Sequence, residues 1–312
     1  MSSRPQDDSE PGDGDNPGDS PAGPAPSHPP EGLVLVSTPI GNLGDITARA
    51  LAALRAADLL LCEDTRTTAR LLAAYGISVR TAPLHEHNED RQIAHVLALL
   101  REGRRVALVS DAGTPLVSDP GYRLVRAALA EGLAVTGVPG ANAALLALVL
   151  SGLPPQPFLF LGFPPPRQAA RLAAFAGLRA AERAGLSATH VWYEAPHRLA
   201  ETLADMTQIF GDRPAAVARE LTKRFEELRR QGLAALAAHY ATTPARGEIC
   251  VVVGPAPAES TPEQDVDALL QAALATHRLK EAVAQVTAAT GLPRKQVYAR
   301  ALELDGRAKD PG

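Results

Sequence analysis

From Leu33 onward, short unbroken apolar runs alternate with longer segments whose apolar positions recur every three or four residues. The short runs fit strands buried on both faces, and the longer ones fit helices with one apolar stripe. LVLVS (33–37), DLLLCED (58–64), RVALVS (105–110) and LAVTGV (133–138) predict strands. ITARALAALRAA (46–57), TTARLLAAYG (67–76), EDRQIAHVLALLREG (89–103), a segment running to Gly132 and another from about Asn142 to Ser151 predict helices. Gly76 sits where a helix C′ residue is expected. Strand and helix in strict turn predict crossover units and a mostly parallel sheet.

SGLPPQPF (151–158) breaks that rhythm with three prolines and reads as a linker. Beyond it, FLFLGF (158–163), THVWYEA (189–195), AAVARE (215–220) and EICVVVG (248–254) predict strands. Helices are predicted at 167–184, 197–210 and about 230–240, so this half reads as α+β or a mixed sheet. PAPAESTPE (255–263) is a second linker, followed by three short helical patterns. Residues 1–31 are Pro, Gly, Asp and Ser with almost nothing to bury, and are expected to be disordered. The expected organisation is an N-terminal tail (1–31), a first α/β domain (32–153), a second (154–255) and a small helical domain (263–305).

Composition narrows the class. With 46% hydrophobic and 21% charged residues, the chain has the balance of a soluble globular protein. The net charge of −4 comes from the tail, which holds seven acids against Arg4 and leaves the remainder at about +2. Residues 167–246 are locally basic, with 12 Arg or Lys against 8 acids. The two cysteines, Cys62 and Cys250, end apolar runs and read as buried thiols rather than a disulfide framework or a zinc site. That fits a reducing cytoplasm. The start of the chain lacks a signal-peptide pattern, and the longest apolar stretch, near ANAALLALVLSGL, is too short to span a bilayer.

Candidate chemistry gathers where the first four strands end, the edge at which parallel sheets hold ligands. STPIGNLGD (37–45) offers Gly41 and Gly44 for close backbone approach, with Asp45 as expected N-cap of the next helix. CEDTRTT (62–68) brings Glu63, Asp64 and Arg66 to a strand end. Either carboxylate is a candidate base; alternatively Arg66 pairs with one, and Asp64 or Thr65 caps the helix. LHEHNED (84–90) sets His85 and His87 beside Glu86 and Glu89, but no third ligand motif follows and Asn88 suits an N-cap. Substrate contact or loop polarity is the better reading, and no metal is assigned. SDAGTPLVSDPG (110–121) contains Asp111, Gly113, Thr114 and Pro115 without a lysine to meet a triphosphate; it is neither GxGxxG nor a P-loop. VPGANAA (138–144) adds a third glycine-bearing loop at the same edge. Three such loops converge on one cleft, where one alone would say little.

TPIGN, EDTR, LHEHNE, SDAGTPLVSDPG, VPG, SGLP, FLGF, YEAPHR and ARELTK occur in this order. Together they resemble the ribosomal RNA small-subunit methyltransferase I family of the tetrapyrrole-methylase-like superfamily, over about residues 33–254. The segment RLKEAVAQVTAATGLPRKQVYARAL is similar to the short C-terminal domain of these enzymes. The resemblance implies two α/β domains holding S-adenosylmethionine in the cleft between them, and a homodimer. It also implies 2′-O-methylation of a cytidine ribose in the decoding region of 16S rRNA, with the small ribosomal subunit as partner. By position it assigns cofactor contacts to Pro39, Gly41, Asp111, Gly113, Thr114, Pro115, Pro139, Gly140, Ala141 and Asn142. Glu194, Arg219 and Gly247 are expected to close the cleft from the second domain, on strand-end position alone. VPGAN replaces the family's more frequent Pro-Gly-Pro-type turn; a backbone contact is expected to survive that change, whereas a side-chain contact at Asn142 does not follow from the resemblance.

A ribose hydroxyl is a weak nucleophile, so a nearby base is expected. Asp64 and Glu63 are the candidates, with Arg66 orienting the carboxylate or meeting a phosphate, and His85 a third possibility. RNA phosphates require cations; Arg167, Arg171, Arg198, Lys223, Arg224, Lys280, Arg294 and Lys295 are expected to contribute. Two other functions share these features: methylation of a small tetrapyrrole in the same cleft, and a non-catalytic ribosome-assembly module that kept the fold.

Overall fold

The inner strands of the first half are apolar throughout because helices cover both faces of the sheet they form. A computed structural model describes residues 30–85, 88–257 and 263–309; residues 1–29 of the expected disordered tail lie outside them. Contacts group the described residues into two compact units, one of residues up to 180 with 188–254, the other of 181–187 with those from 255 onward.

In the first unit, β1 (Leu33–Val36), β2 (Leu59–Cys62), β3 (Thr81–Pro83), β4 (Val106–Leu108) and β5 (Val135–Val138) form a parallel sheet in the order β3-β2-β4-β1-β5. Between and after them lie α1 (Ala48–Ala56), α2 (Thr65–Ala74), α3 (Glu89–Arg101), α4 (Tyr122–Ala130) and α5 (Ala143–Ser151). Successive side chains of a strand point to opposite faces. Val34, Val36, Leu60, Cys62 and Ala107 accordingly pack with Leu54 of α1 and Leu72 of α2. Leu33, Leu59, Leu61, Val106 and Leu108 pack with Val96 of α3 and Leu124 of α4. The neighbours β1 and β4 thus send their chains to opposite faces. That reversal marks the switch point of the sheet, and at the carboxyl edge beside it such sheets bind ligands.

The second sheet holds β6 (Phe158–Phe160), β7 (Thr189–Glu194), β8 (Pro214–Arg219), β9 (Glu227–Gly232) and β10 (Ile249–Val253), in the order β6-β7-β10-β8-β9. Only β6 and β7 pair in parallel, so the sheet is mixed. One face packs Trp192, Val217 and Val251 against Phe175 of α6 (Gln168–Arg183), Leu203 of α7 (Leu199–Phe210) and Leu236 of α8 (Leu233–Thr242). The other face packs Val191, Ala216 and Val252 against Ala144, Ala147 and Leu148 of α5. Helix α5 therefore follows the first sheet in sequence yet is core to the second. Its apolar surface is the seam between the two sheets.

Two strands escape the sequence pattern. β3 is three residues at the sheet edge, and β9 reads ELRRQG where a helix is expected from about 230. Both pair on one side only, so neither needs an apolar run. The second unit contains α9 (Glu263–Leu274), α10 (Leu279–Thr290) and α11 (Arg294–Lys309), around Val266, Leu270, Val283, Val286 and Val297. Among the described residues, no helix is long and apolar enough to cross a membrane.

Candidate active site

Three loops at the carboxyl edge of the first sheet are tied into one wall. Thr38 and Gly113 exchange backbone hydrogen bonds of 2.8 and 3.1 Å, an antiparallel bridge between loops that leave parallel strands. Gly113 does this at φ +79°, with Ile40 and the Ala141 carbonyl close on its Cβ side. At Gly140, a Cβ would come within 2.8 Å of the Ser37 side chain, so only glycine lets the β5 loop approach the β1 loop. The Thr114 hydroxyl joins all three. It accepts from Ser37 Oγ at 3.3 Å and Asn142 Nδ2 at 3.4 Å, and donates to the Ala141 carbonyl at 3.3 Å. The Asn142 side-chain oxygen Oδ1 meanwhile caps α5 by accepting from Leu145 N–H. Leu116 and Ser118 follow with φ +70° each, left-handed conformations that cost roughly 1–2 kcal/mol apiece in a non-glycine residue. Strain of this kind persists where surrounding structure fixes it, often at ligand sites.

Against this wall lies a cavity of about 310 Å³, which opens between the two sheets. Ile40, Gly113, Thr114 and Asp119 line it from one side, and Tyr193, Glu194, Gly247 and Cys250 from the other. Its volume is at the lower end for a small-molecule site. Burial raises the Asp119 carboxyl above its ordinary range, against a hydrogen bond from Ser110 and with the added charge of Asp111. Burial also pushes the Tyr193 hydroxyl up to about 12. The Tyr193 ring is held edge-on to Phe160 at 4.9 Å. The Cys250 thiol is likewise pushed up to about 12 by burial, which makes it an inert wall. The Glu194 side chain is fully buried and accepts from Ala195 N–H, the Thr202 hydroxyl and Arg198, so it braces the cavity floor.

A second cavity of about 510 Å³ shares Ile40, Ala112 and Glu248 with the first. Pro39, Gly41, Thr67, Arg70, Asp111 and Lys223 are also in its lining. Asp111 Oδ1 accepts from Asp64 N–H at 3.0 Å, which joins the β4 loop to the start of α2. Asp64 caps α2 by accepting from Arg66 N–H at 2.8 Å and forms a two-oxygen ion pair with the Arg66 guanidinium. The Arg66 side chain, then the Arg66 backbone N–H, hold the Asp64 carboxyl down at about 2. Lys223 bridges Glu220 at 2.8 Å and Glu248 at 3.0 Å.

Of the residues expected to hold cofactor, Gly113, Thr114, Glu194 and Gly247 line the first cavity, and Pro39, Gly41 and Asp111 the second. Gly140, Ala141 and Asn142 shape the wall from behind. Pro115, Pro139 and Arg219 line neither cavity; Arg219 instead pairs with Glu227 across β8 and β9. Glu63, Asp64, Arg66 and His85 are also outside both linings. Asp45 is not the cap of α1, since it lies in a preceding 3-10 turn and Thr47 takes that place. Asn88 makes no cap hydrogen bond to α3 and braces its loop through His85 N–H and the Pro83 carbonyl. Glu89, buried, accepts from Arg123 and Leu124 N–H and so caps α4, whose own N-cap is Gly121. Glu86 and His87 fall outside the described residues.

The expected RNA-binding cations divide in the same way. Arg171 is 1% exposed and bound to Asp205, which corrects its assignment to a surface contact. Arg198 is spent on Glu194 and the Pro164 carbonyl. Arg167, Arg224, Lys280, Arg294 and Lys295 are exposed. Asp119, Tyr193 and Glu248 were not anticipated. Asp119 lies within the quoted SDPG motif and Tyr193 within THVWYEA and YEAPHR, while Glu248 opens EICVVVG, so motif membership or strand-end position was the available signal.

Comparison with known proteins identifies the family and the fold. The family model for Tetrapyrrole (Corrin/Porphyrin) Methylases matches residues 32–237, and that of the RsmI C-terminal HTH domain matches residues 260–305. A ribosomal RNA small subunit methyltransferase I of Mesorhizobium japonicum is 48% identical, over 89% of this chain and 94% of its own. The protein of the same name from Micromonospora olivasterospora is 46% identical, over 85% of each chain. Among solved structures, uroporphyrin-III C-methyltransferase of Thermus thermophilus complexed with S-adenyl homocysteine aligns with a TM-score of 0.50 at 19% identity. That alignment covers 71% of this chain and 96% of the other, and speaks for the fold.

Proposed function

Because the chain belongs to the ribosomal RNA small subunit methyltransferase I family, we propose that it methylates the ribose 2′-hydroxyl of a cytidine in the decoding region of 16S rRNA, with S-adenosylmethionine as donor. The observation that carries this reading is the cavity walled by three interlocked loops at the switch point of the first sheet. It fits an adenosyl group: largely apolar walls for a flat base, the backbone of Gly113 and Gly247 within reach, and few polar side chains to orient hydroxyl and amino groups. S-adenosylmethionine supplies, when bound, a methyl group already activated by its sulfonium. What remains for the protein is to hold the acceptor oxygen in line and exclude water, which can contribute roughly 7–11 kcal/mol in favourable cases.

Gly113, Thr114 and Gly247 hold the donor in this reading, with Glu194 bracing the floor. Ala141 and Asn142 keep the Thr114 hydroxyl aimed. Asp64 and Arg66 act by position: the Asp64 N–H fixes Asp111, and its carboxylate, held at about 2, anchors Arg66 beside the second cavity. A carboxylate of such low basicity is poorly matched to receiving a proton near neutral pH. Glu63 is exposed at the same strand end and remains the other carboxylate of that motif. Exposed Arg167, Arg224, Lys280, Arg294 and Lys295 meet RNA phosphates.

The test is a competition between acceptor classes. Purified protein with labelled S-adenosylmethionine is offered small ribosomal subunits that lack this modification, and separately a tetrapyrrole precursor. Label in the RNA alone supports the reading. Label in the pigment overturns it in favour of a small-molecule methylase, and cofactor binding with no transfer favours an assembly module.

A further inference from the structure

The second cavity has a different chemistry from the first. Its lining carries the Thr67 hydroxyl, the Asp111 carboxylate and two cations, and it is separated from the first by Ile40 and Ala112. Lys223 is neutralised between Glu220 and Glu248. Arg70, exposed on α2, has no ion-pair partner among the described residues. Asp64 spends both carboxylate oxygens on Arg66. Asp111 spends only Oδ1, on the Asp64 N–H, and Oδ2 takes no hydrogen bond among the described residues. So, among the described residues, the cavity presents one uncommitted guanidinium and two carboxylates with an uncommitted oxygen each: Glu248, neutralised by Lys223 through Oε2, and Asp111, oriented by a backbone N–H and not neutralised by a cation. Asp111 is one residue from Ala112, part of the wall shared with the first cavity.

We propose that this second cavity seats the acceptor nucleotide, with Arg70 against its phosphate and Asp111 receiving the proton of its ribose hydroxyl. The inference rests on the methyltransferase reading of the first cavity. A cation and a carboxylate in the lining of one cavity match the two ends of a nucleotide, phosphate and sugar hydroxyl. As the ribose oxygen forms its bond to the methyl carbon, the sulfur–methyl bond breaks and its electron pair stays on sulfur. The hydroxyl proton passes to Asp111 Oδ2 and from there to water. The Asp64 N–H holds the carboxylate during the transfer, which explains why Asp64 is placed beside the site without lining it.

Two variants test this, each measured in the full-length protein for donor affinity by calorimetry, for binding to unmodified small subunits over a salt series, and for single-turnover methyl transfer. Arg70→Gln is expected to weaken particle binding about tenfold and reduce the salt slope by about one, with donor affinity unchanged. Asp111→Asn keeps the acceptor for Asp64 N–H, so the loop brace survives. It is expected to slow transfer about 10²–10⁴-fold with both affinities unchanged. The proposal is overturned if Arg70→Gln leaves the salt slope intact, or if Asp111→Asn weakens donor binding while transfer at saturating donor persists. Failure of the underlying reading looks different: the wild-type protein then transfers no methyl to the particles, and the cavity assignment falls with it.

Discussion

At the scale of single residues, the Thr114 hydroxyl bears the most structural consequence for the site, since its one donor and both acceptor positions are used on the two other loops of the wall. Thr114→Val keeps the shape and removes all three bonds. Each is worth about 0.5–1.5 kcal/mol of stability, so the melting temperature is expected to fall by several degrees, and donor affinity measured by calorimetry to fall roughly 10-fold as the loops loosen. The Asp64–Arg66 pair gives a pH prediction. The folded carboxyl titrates at about 2, below its ordinary 3.8. Whatever the pair adds to stability is therefore complete above 3.8 and lost as pH falls through about 2. Carbon-detected NMR titration is expected to show Asp64 ionised throughout the pH range of activity, so a transfer-rate inflection above pH 5 belongs to another group. Gly113 and Thr114 were legible in the sequence because they lie in the SDAGTP loop after a predicted strand, and Gly247 because it sits at the edge of another. Arg171 was not: an arginine on an amphipathic helix reads as a solvated cation, and its burial against Asp205 depends on a helix 34 residues further on.

At the scale of elements, that pair links α6 to α7 inside the second sheet's helical layer. Asp205→Ala leaves a buried guanidinium unpaired and is expected to cost about 3–5 kcal/mol in denaturant unfolding. The exposed Arg101–Glu131 pair, broken the same way, is expected to cost under about 1 kcal/mol. Most strands and helices followed from periodicity because two-sided burial demands apolar strands and one-sided burial demands striped helices. β3 and β9 did not, since an edge strand is held by its ladder on one side and tolerates a sequence as polar as ELRRQG. The helix caps were legible as residue types but not as partners. Glu89 serves α4 rather than its own helix, a contact between segments that no local pattern encodes.

At the scale of the molecule, α5 joins the two sheets, and the cavity between them depends on that seam. Leu148, 3% exposed, packs in it with Val191 and Val252. Leu148→Ala is expected to destabilise the protein by about 2–5 kcal/mol in chemical unfolding, and to weaken donor binding as well, since Ala143 on the same helix lines the first cavity. The order of strands and the mixed second sheet were legible only as classes, because pairing is set by which helices fill which face. The claim on which the rest depends is transfer to a specific ribose. It is tested most directly by tritiated transfer from S-adenosylmethionine to unmodified small subunits, followed by alkaline cleavage and mapping of the labelled nucleotide. The account predicts label at one cytidine of the decoding region, with the adjoining phosphodiester resistant to alkali because its 2′-oxygen carries the methyl group. Label on a base, with that bond still cleaved by alkali, would contradict it.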